Sequence, residues 1–447
     1  MSGTVWPTAA QVLDVLTLRA GYNTAVVMIG VALLGLAAGV VGSFTVLRKR
    51  AMMSDTLSHA TLPGIGLAFL AATALGGEGR SLPVLLTGAT AAGVAGVLVV
   101  HLIVRHSRLP EDAAMGAVLS VFFGLGAVIL SYVQTLGTGA EGGIATFIYG
   151  RAAAMSAGDA LLIAAVATGA VLATALLYKE FRAVCFDPGF AAAQGWPVGL
   201  IDLAMMTLVV VVTVVGLQAV GLILVIALII VPAAAARFWT DRLGTMVVIA
   251  AGFGMASGYV GTALSALLPR FPAGGIIVLV AGALFLVSLF LAPRRGVAAA
   301  AWRHLRLRVS VEGQHLLRAL FEAAEAAQRP TGAPADLADL RIARSWPPLR
   351  RALVLADLRR RGLLRRDAAA VALTPAGQEE AWRLTRNHRL WEEYLVNFAH
   401  LAPTHVDRSA DLVEHVLDGA LVAELEARLA TIGRLPRLRG VPRSLHA

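Results

Sequence analysis

An aspartate and a histidine stand four residues apart in AMMSDTLSHATLPGIG, Ala51 to Gly66, at the mouth of an apolar run. On a helix Asp55 and His59 share one face. A carboxylate with an imidazole is a ligand pair suited to a borderline divalent ion. An ionisable side chain is costly in hydrocarbon, so residues of this kind turn toward a protein interior or a water-filled path. A plainer reading stays open: Asp55 caps the helix with Ser54 as its companion, and His59 bonds a neighbouring carbonyl.

The elements that must position this pair are membrane spans. Hydrophobic residues make up 57% of the chain and charged ones 15%, far more apolar than a soluble domain requires. Apolar runs of spanning length are predicted near residues 25–47, 57–75, 83–104, 113–133, 157–177, 198–215, 219–236, 245–268 and 275–291, a polytopic α-helical membrane protein of about nine transmembrane helices. The pair around Gly216-Leu217-Gln218 has a very short connection, so one half could be re-entrant. No short apolar segment with a small-residue cleavage site precedes the first run, so no removable signal peptide is expected.

Arg48-Lys49-Arg50, Arg105 to Arg108, Lys179 to Arg182, Arg237 to Arg242 and Arg294-Arg295 fall on one side of a nine-span topology. By the positive-inside rule that side is cytoplasmic, which puts the N-terminus outside and everything after Gly296 in the cytosol of a cell with this protein in its plasma (inner) membrane. From Ala301 onward charged residues become frequent and seven of the ten histidines appear, the composition of a separate soluble domain. Arg303, Arg306 and Arg308 could rest on anionic lipid headgroups or add to the positive-inside signal. Cys185 is the one cysteine, which excludes an intrachain disulfide or thiolate cluster.

The block VGSFTVLRKRAMMSDTLSHATLPGIGLAF resembles the permease family of ATP-binding-cassette importers for manganese, zinc and iron(II). So do YKEFRAVCFDPGFAAAQGWP, VGLILVIALIIVPAAAARF and FPAGGIIVLVAG, and the likeness runs from about Gly39 to Gly296, within a transmembrane permease domain of residues 1–296. It implies that Asp55 and His59 line the translocation path and help receive the ion. It also implies that Phe186, Asp187, Pro188 and Gly195 belong to a coupling loop seated in a groove of an ATPase subunit. Pro188 suits a first helical position and Gly195 a C-terminal cap; a plain connector is the alternative.

The chain's only lysines, Lys49 and Lys179, are in no phosphate-binding loop. ATP hydrolysis is therefore expected on a cytosolic ATP-binding partner. The resemblance further implies a second permease chain, identical or related, and an extracytoplasmic metal-binding protein.

In the tail, helical signals around 311–327 and 348–361 precede RRGLLRRDAAAVALTPAGQEEAWRL. That segment reads as a Gly turn at Gly362, two short strands either side of Arg366-Asp367, and a helix from near Pro375. The pattern is a winged helix-turn-helix, residues 301–380, followed by a helical metal-binding and dimerisation domain, residues 381–447. LTPAGQEEAWRLTRNHRLWEEYLV with HVDRSADLVEHVL resembles the metal-dependent repressors of the diphtheria-toxin-repressor and manganese-regulator type.

That second resemblance implies a ligand set of Glu312, His315, His388, Glu392, Asp411, Glu414 and His415. Such sulfur-free ligands suit Mn(II) or Fe(II), and Zn(II) would bind them also. A solvated acidic face with incidental histidines is the alternative. LPRLRGVP lacks the histidine that the repressors carry in this region, and SWPPLRR stands where short polar residues more often approach DNA. Arg350, Arg351, Arg359 and Arg360 could contact phosphate, lipid or the ATPase. Two functions compete for the whole chain: a divalent-metal importer permease with a cytosolic sensor, and a membrane-tethered, metal-dependent DNA-binding regulator.

Overall fold

The computed structural model describes residues 7–76, 81–136, 155–268, 271–336, 346–367, 370–399 and 419–431. The chain divides into two compact units, Met1–Ala300 and Ala301–Ala447.

The first unit is helical. A short α1 (Ala9–Leu16) is followed by α2 (Tyr22–Leu47), α3 (Ala51–Ala60), α4 (Leu62–Ala74), α5 (Leu82–His106) and α6 (Glu111–Thr135). Next come α7 (Ala157–Leu176), α8 (Tyr178–Phe186), α9 (Pro188–Ala193), α10 (Val198–Val220), α11 (Leu222–Arg237), α12 (Leu243–Leu267) and α13 (Ala273–Leu291).

Among the described residues eight helices are long and apolar enough to cross a membrane, α3 and α4 counting as one span, Met52–Ala74. The ninth expected run corresponds to α11, a shorter apolar helix. That helix has 16 residues, or about 24 Å at 1.5 Å per residue, short of the ~30 Å hydrocarbon core. Gly221, at φ +86°, breaks the apolar run and delays its start. Ala233 and Ala236 near the end of α11 nevertheless pack with Met246, Ala250, Val46 and Leu47, so α11 finishes beside the end of α2.

α2 runs through the centre of this unit, buried along most of its length. It meets α12 backbone to backbone: a Cβ added at Gly35 would fall 2.1 Å from the Gly254 carbonyl oxygen. Membrane helices lack a hydrophobic force between them, and small residues let them gain dispersion by close approach. α3 and α4 divide at Pro63, which has no N–H to offer the His59 carbonyl one turn earlier.

The second unit contains α14 (Val297–Ala326), which starts just ahead of it, α15 (Pro348–Arg360), β1 (Leu364–Asp367), β2 (Ala370–Leu373), α16 (Pro375–Phe398) and α17 (Gly419–Thr431). β1 and β2 are antiparallel with Leu364 opposite Leu373 and Asp367 opposite Ala370. Arg366 and Asp367 therefore belong to β1, where a turn had been expected, because they pair with Val371 and Ala370 of β2. Gly362 takes the left-handed conformation the turn out of α15 requires, φ +71°. Thr374 caps α16, its hydroxyl accepting from Gly377 N at 3.1 Å. Leu316, Leu320, Val354, Leu358, Val371 and Leu384 form the core.

Candidate metal-binding residues and a buried ion network

Asp55 lies inside α3, more than a turn beyond its first residue Ala51, so it is not the N-cap. The capping alternative is thereby removed. His59 Nε2 is 3.6 Å from Asp55 Oδ1, and the ring meets Phe123 of α6 edge-on at 5.1 Å. Two ligands each about 2.1 Å from a tetrahedral ion stand about 3.4 Å apart, so little movement would bring this pair to one ion. His59 Nδ1 and Ser54 Oγ are buried with no hydrogen-bond partner among the described residues. The Asp55 and His59 side chains are 43% and 23% exposed.

Just before α3 is a network that sequence reasoning missed. The Asp202 carboxylate, in the first turns of α10, pairs with Arg50 and, at 3.2 Å, with Arg48. Arg50 also pairs with Glu111, the first residue of α6. Arg48 Nη1 donates to the Val184 carbonyl of α8 at 3.2 Å. Asp202 is 7% exposed, so its charge depends on these guanidiniums. A signal was present: Asp202 is an acid inside an apolar run, the kind of residue that marks a functional interior.

Asp187 accepts from Phe190 N at 2.8 Å and caps α9, with Pro188 in its first turn. Gln194 is the C-cap, and Gly195 follows with φ +84°. Pro188 and Gly195 thus bracket one short helix and its exit turn, and Phe186 and Phe190 are 61% and 59% exposed. Cys185 is partly buried, and burial pushes its thiol up to about 11, with Arg48 opposing the rise.

In the second unit α16 holds His388 and Glu392 with Nε2 and Oε1 3.4 Å apart, both almost fully buried. Arg318 Nη1 donates to His388 Nδ1 at 2.6 Å. A guanidinium cannot accept, so a neutral ring carries its proton on Nε2, facing Glu392. Glu312, also buried, is held by Arg350, whose Nε donates to Oε2 at 2.7 Å.

His315 is one turn from Glu312 on α14. Asp411, Glu414 and His415 lie outside the described residues. Among those described, no group of three or more His, Cys, Asp or Glu gathers at one point. The donor chemistry, carboxylate with imidazole and no sulfur, fits a divalent cation. Arg350 is committed to Glu312, while Arg351, Arg359 and Arg360 of α15 are exposed.

Eight candidate spans among the described residues, charge gathered at helix ends and an exposed capped helix between two spans define a multi-pass membrane permease. Residues 22–292 match the ABC 3 transport family, and this chain belongs to that family. Residues 374–442 match the iron dependent repressor, metal binding and dimerisation domain, so a metal-binding domain follows the permease.

The chain is 36% identical over 422 residues to the manganese transport system membrane protein MntC of Bacillus subtilis (strain 168), covering 93% of this chain and 94% of that protein. It is 42% identical over 291 residues to the zinc transport system membrane protein TroC of Treponema pallidum (strain Nichols), covering 65% of this chain and 96% of that one. The solved structure of PsaBC from Streptococcus pneumoniae in complex with Fab matches with a TM-score of 0.56 and 28% identity, covering 67% of this chain and all of the matched one. As the permease subunit of an ATP-binding-cassette system, the chain implies an ATPase and a substrate-binding protein as partners.

Proposed function

We propose that this chain conducts a divalent transition metal, manganese or zinc and also iron(II), into the cytosol, with Asp55 and His59 receiving the ion. The observation that carries this reading is the placement of His59: one ring nitrogen 3.6 Å from a carboxylate oxygen, the other buried without a hydrogen-bond partner. The relatives named for manganese and zinc transport support the choice of cargo.

The α9 segment is the ATPase contact, its exposed Phe186 and Phe190 offering an apolar surface. A second permease chain completes the pore. The basic helix ends assign one face to the cytosol, and with it the second unit. There the order α15, β1, β2, α16 is read as a winged helix, with Glu312, His315, His388, Glu392, Asp411, Glu414 and His415 as a metal sensor that damps transport when the cytosol is replete. Arg350's commitment to Glu312 favours this sensing role over DNA binding.

The test is uptake of radiolabelled manganese, zinc and iron(II) by cells expressing the chain with its ATPase, comparing wild type with Asp55→Ala and His59→Ala. Loss of one ion's uptake in both variants, with the protein inserted, identifies the cargo. Normal uptake in both refutes the assignment.

A further inference from the structure

We infer that Asp202 is a positioning residue that transmits movement of the Asp187–Gly195 segment to the helix bearing Asp55 and His59. This rests on the reading of that segment as the ATPase contact.

The connection is continuous. Asp202 enters α10 five residues after Pro197, immediately beyond α9 and its exit turn. Its carboxylate grips Arg48 and Arg50, the two ends of the three-residue turn joining α2 to α3. Arg48 also holds the α8 backbone at Val184, on the other flank of α9. Both sides of the exposed segment are therefore tied to the same turn. Asp55 is five residues beyond Arg50, about 7.5 Å along a rigid helix. With side-chain exposures of 17%, 11% and 9% for Arg48, Arg50 and Asp202, solvent ions screen these pairs little.

Coupling also needs two discrete arrangements, and Arg50 has two carboxylates between which to divide. Its guanidinium serves Asp202 on α10 and Glu111 on α6. A 30 Å³ cavity lined by Arg50, Met53, His101, Glu111, Asp202 and Met206 lies beside it. Arg50 can shift between the carboxylates without leaving a buried charge unpaired, which moves α3 relative to α6, whose Phe123 faces His59.

The experiment uses the whole complex in proteoliposomes with manganese(II), reading ions moved per ATP hydrolysed. Asp202→Asn should lower that ratio at least about fivefold, the low end of measured coupling strengths, while hydrolysis continues. Asp202→Glu should restore it. An unchanged ratio, or a parallel loss of transport and hydrolysis, overturns the inference. Should Asp202→Asn fail to insert, Arg48→Gln removes one of the two guanidiniums instead: a lowered ratio supports the inference, and an unchanged one overturns it. Phe190→Asp separates the underlying reading: if the ATPase stays bound to that variant, the contact assignment fails, whatever the Asp202 ratio shows.

Discussion

His59 presents its two ring nitrogens to different surroundings, Nε2 3.6 Å from Asp55 Oδ1 and Nδ1 buried without a hydrogen-bond partner. Burying an unpaired polar atom costs about 1–3 kcal/mol.

Charge and shape at this pair can be separated. Asp55→Asn keeps the side chain's outline and removes its charge, and it should cut uptake at least ~10-fold, as removing even a supporting partner of a metal ligand does. Thermal stability in detergent should fall by less than about 1 kcal/mol, because the carboxylate is partly exposed and the pair is worth little to folding. Uptake and thermal denaturation of the same preparation check both.

The contact between α2 and α12 predicts intolerance of any side chain at its centre. A Cβ at Gly254 would fall 2.0 Å from the Gly35 carbonyl oxygen, and the clash is with backbone that cannot rotate away. Gly254→Val should destabilise by about 3 kcal/mol or more, the upper range for overpacking. Gly252, where a Cβ meets nothing within 4 Å, should accept alanine freely. Size-exclusion profiles of the two variants in detergent measure the difference.

These features were legible in the sequence to different degrees. The spans announce themselves because hydrocarbon permits only apolar helices, and Asp55/His59 because a four-residue spacing is local geometry. The capped α9 was legible for the same reason: Asp187-Pro188 and Gly195 act on their own neighbours. Pairings between distant residues were not. Asp202 meets Arg50 across 152 positions, and only its place in an apolar run marked it. Arg318 against His388 and Arg350 against Glu312 join residues far apart in the chain, and no spacing rule predicts which cation a buried carboxylate recruits. The brevity of α11 depends on Gly221's positive φ, which composition does not announce.

Cys185 supplies a readout of packing near the ion network. With its thiol pushed up to about 11 from an ordinary 9.0, the folded protein carries about a hundredfold less thiolate at pH 7 to 8. Maleimide labelling of the inserted protein should be slow there and accelerate about tenfold per pH step until pH approaches 11. Denaturation returns the thiol to its ordinary range, so labelling at pH 7.5 should become much faster. Mass spectrometry of time points measures both rates.

In the second unit, Arg350→Ala should destabilise by about 1–3 kcal/mol, because it leaves the Glu312 carboxylate buried without its cation. Glu312→Gln added to it should recover most of that loss, an amide being far cheaper to bury than a charge. Pulse proteolysis of the full chain, following fragments from the region after Ala301, reports the difference. Manganese(II) should protect Arg350→Ala more than wild type, since the ion replaces the missing guanidinium.

The regulatory reading makes the last prediction. If the region after Gly296 senses cytosolic metal and damps import, deleting it leaves the membrane spans of the first unit intact, α13 having ended at Leu291. Initial uptake in metal-starved cells should then equal that of the full chain. In cells preloaded with metal, the full chain should slow by about 5–150-fold, the span of ordinary allosteric coupling, while the shortened chain keeps its starved-cell rate. Uptake by both chains at matched membrane abundance decides this. Equal slowing in preloaded cells would mean the damping lies elsewhere in the transporter, and would return the second unit to the competing role of a metal-dependent DNA binder.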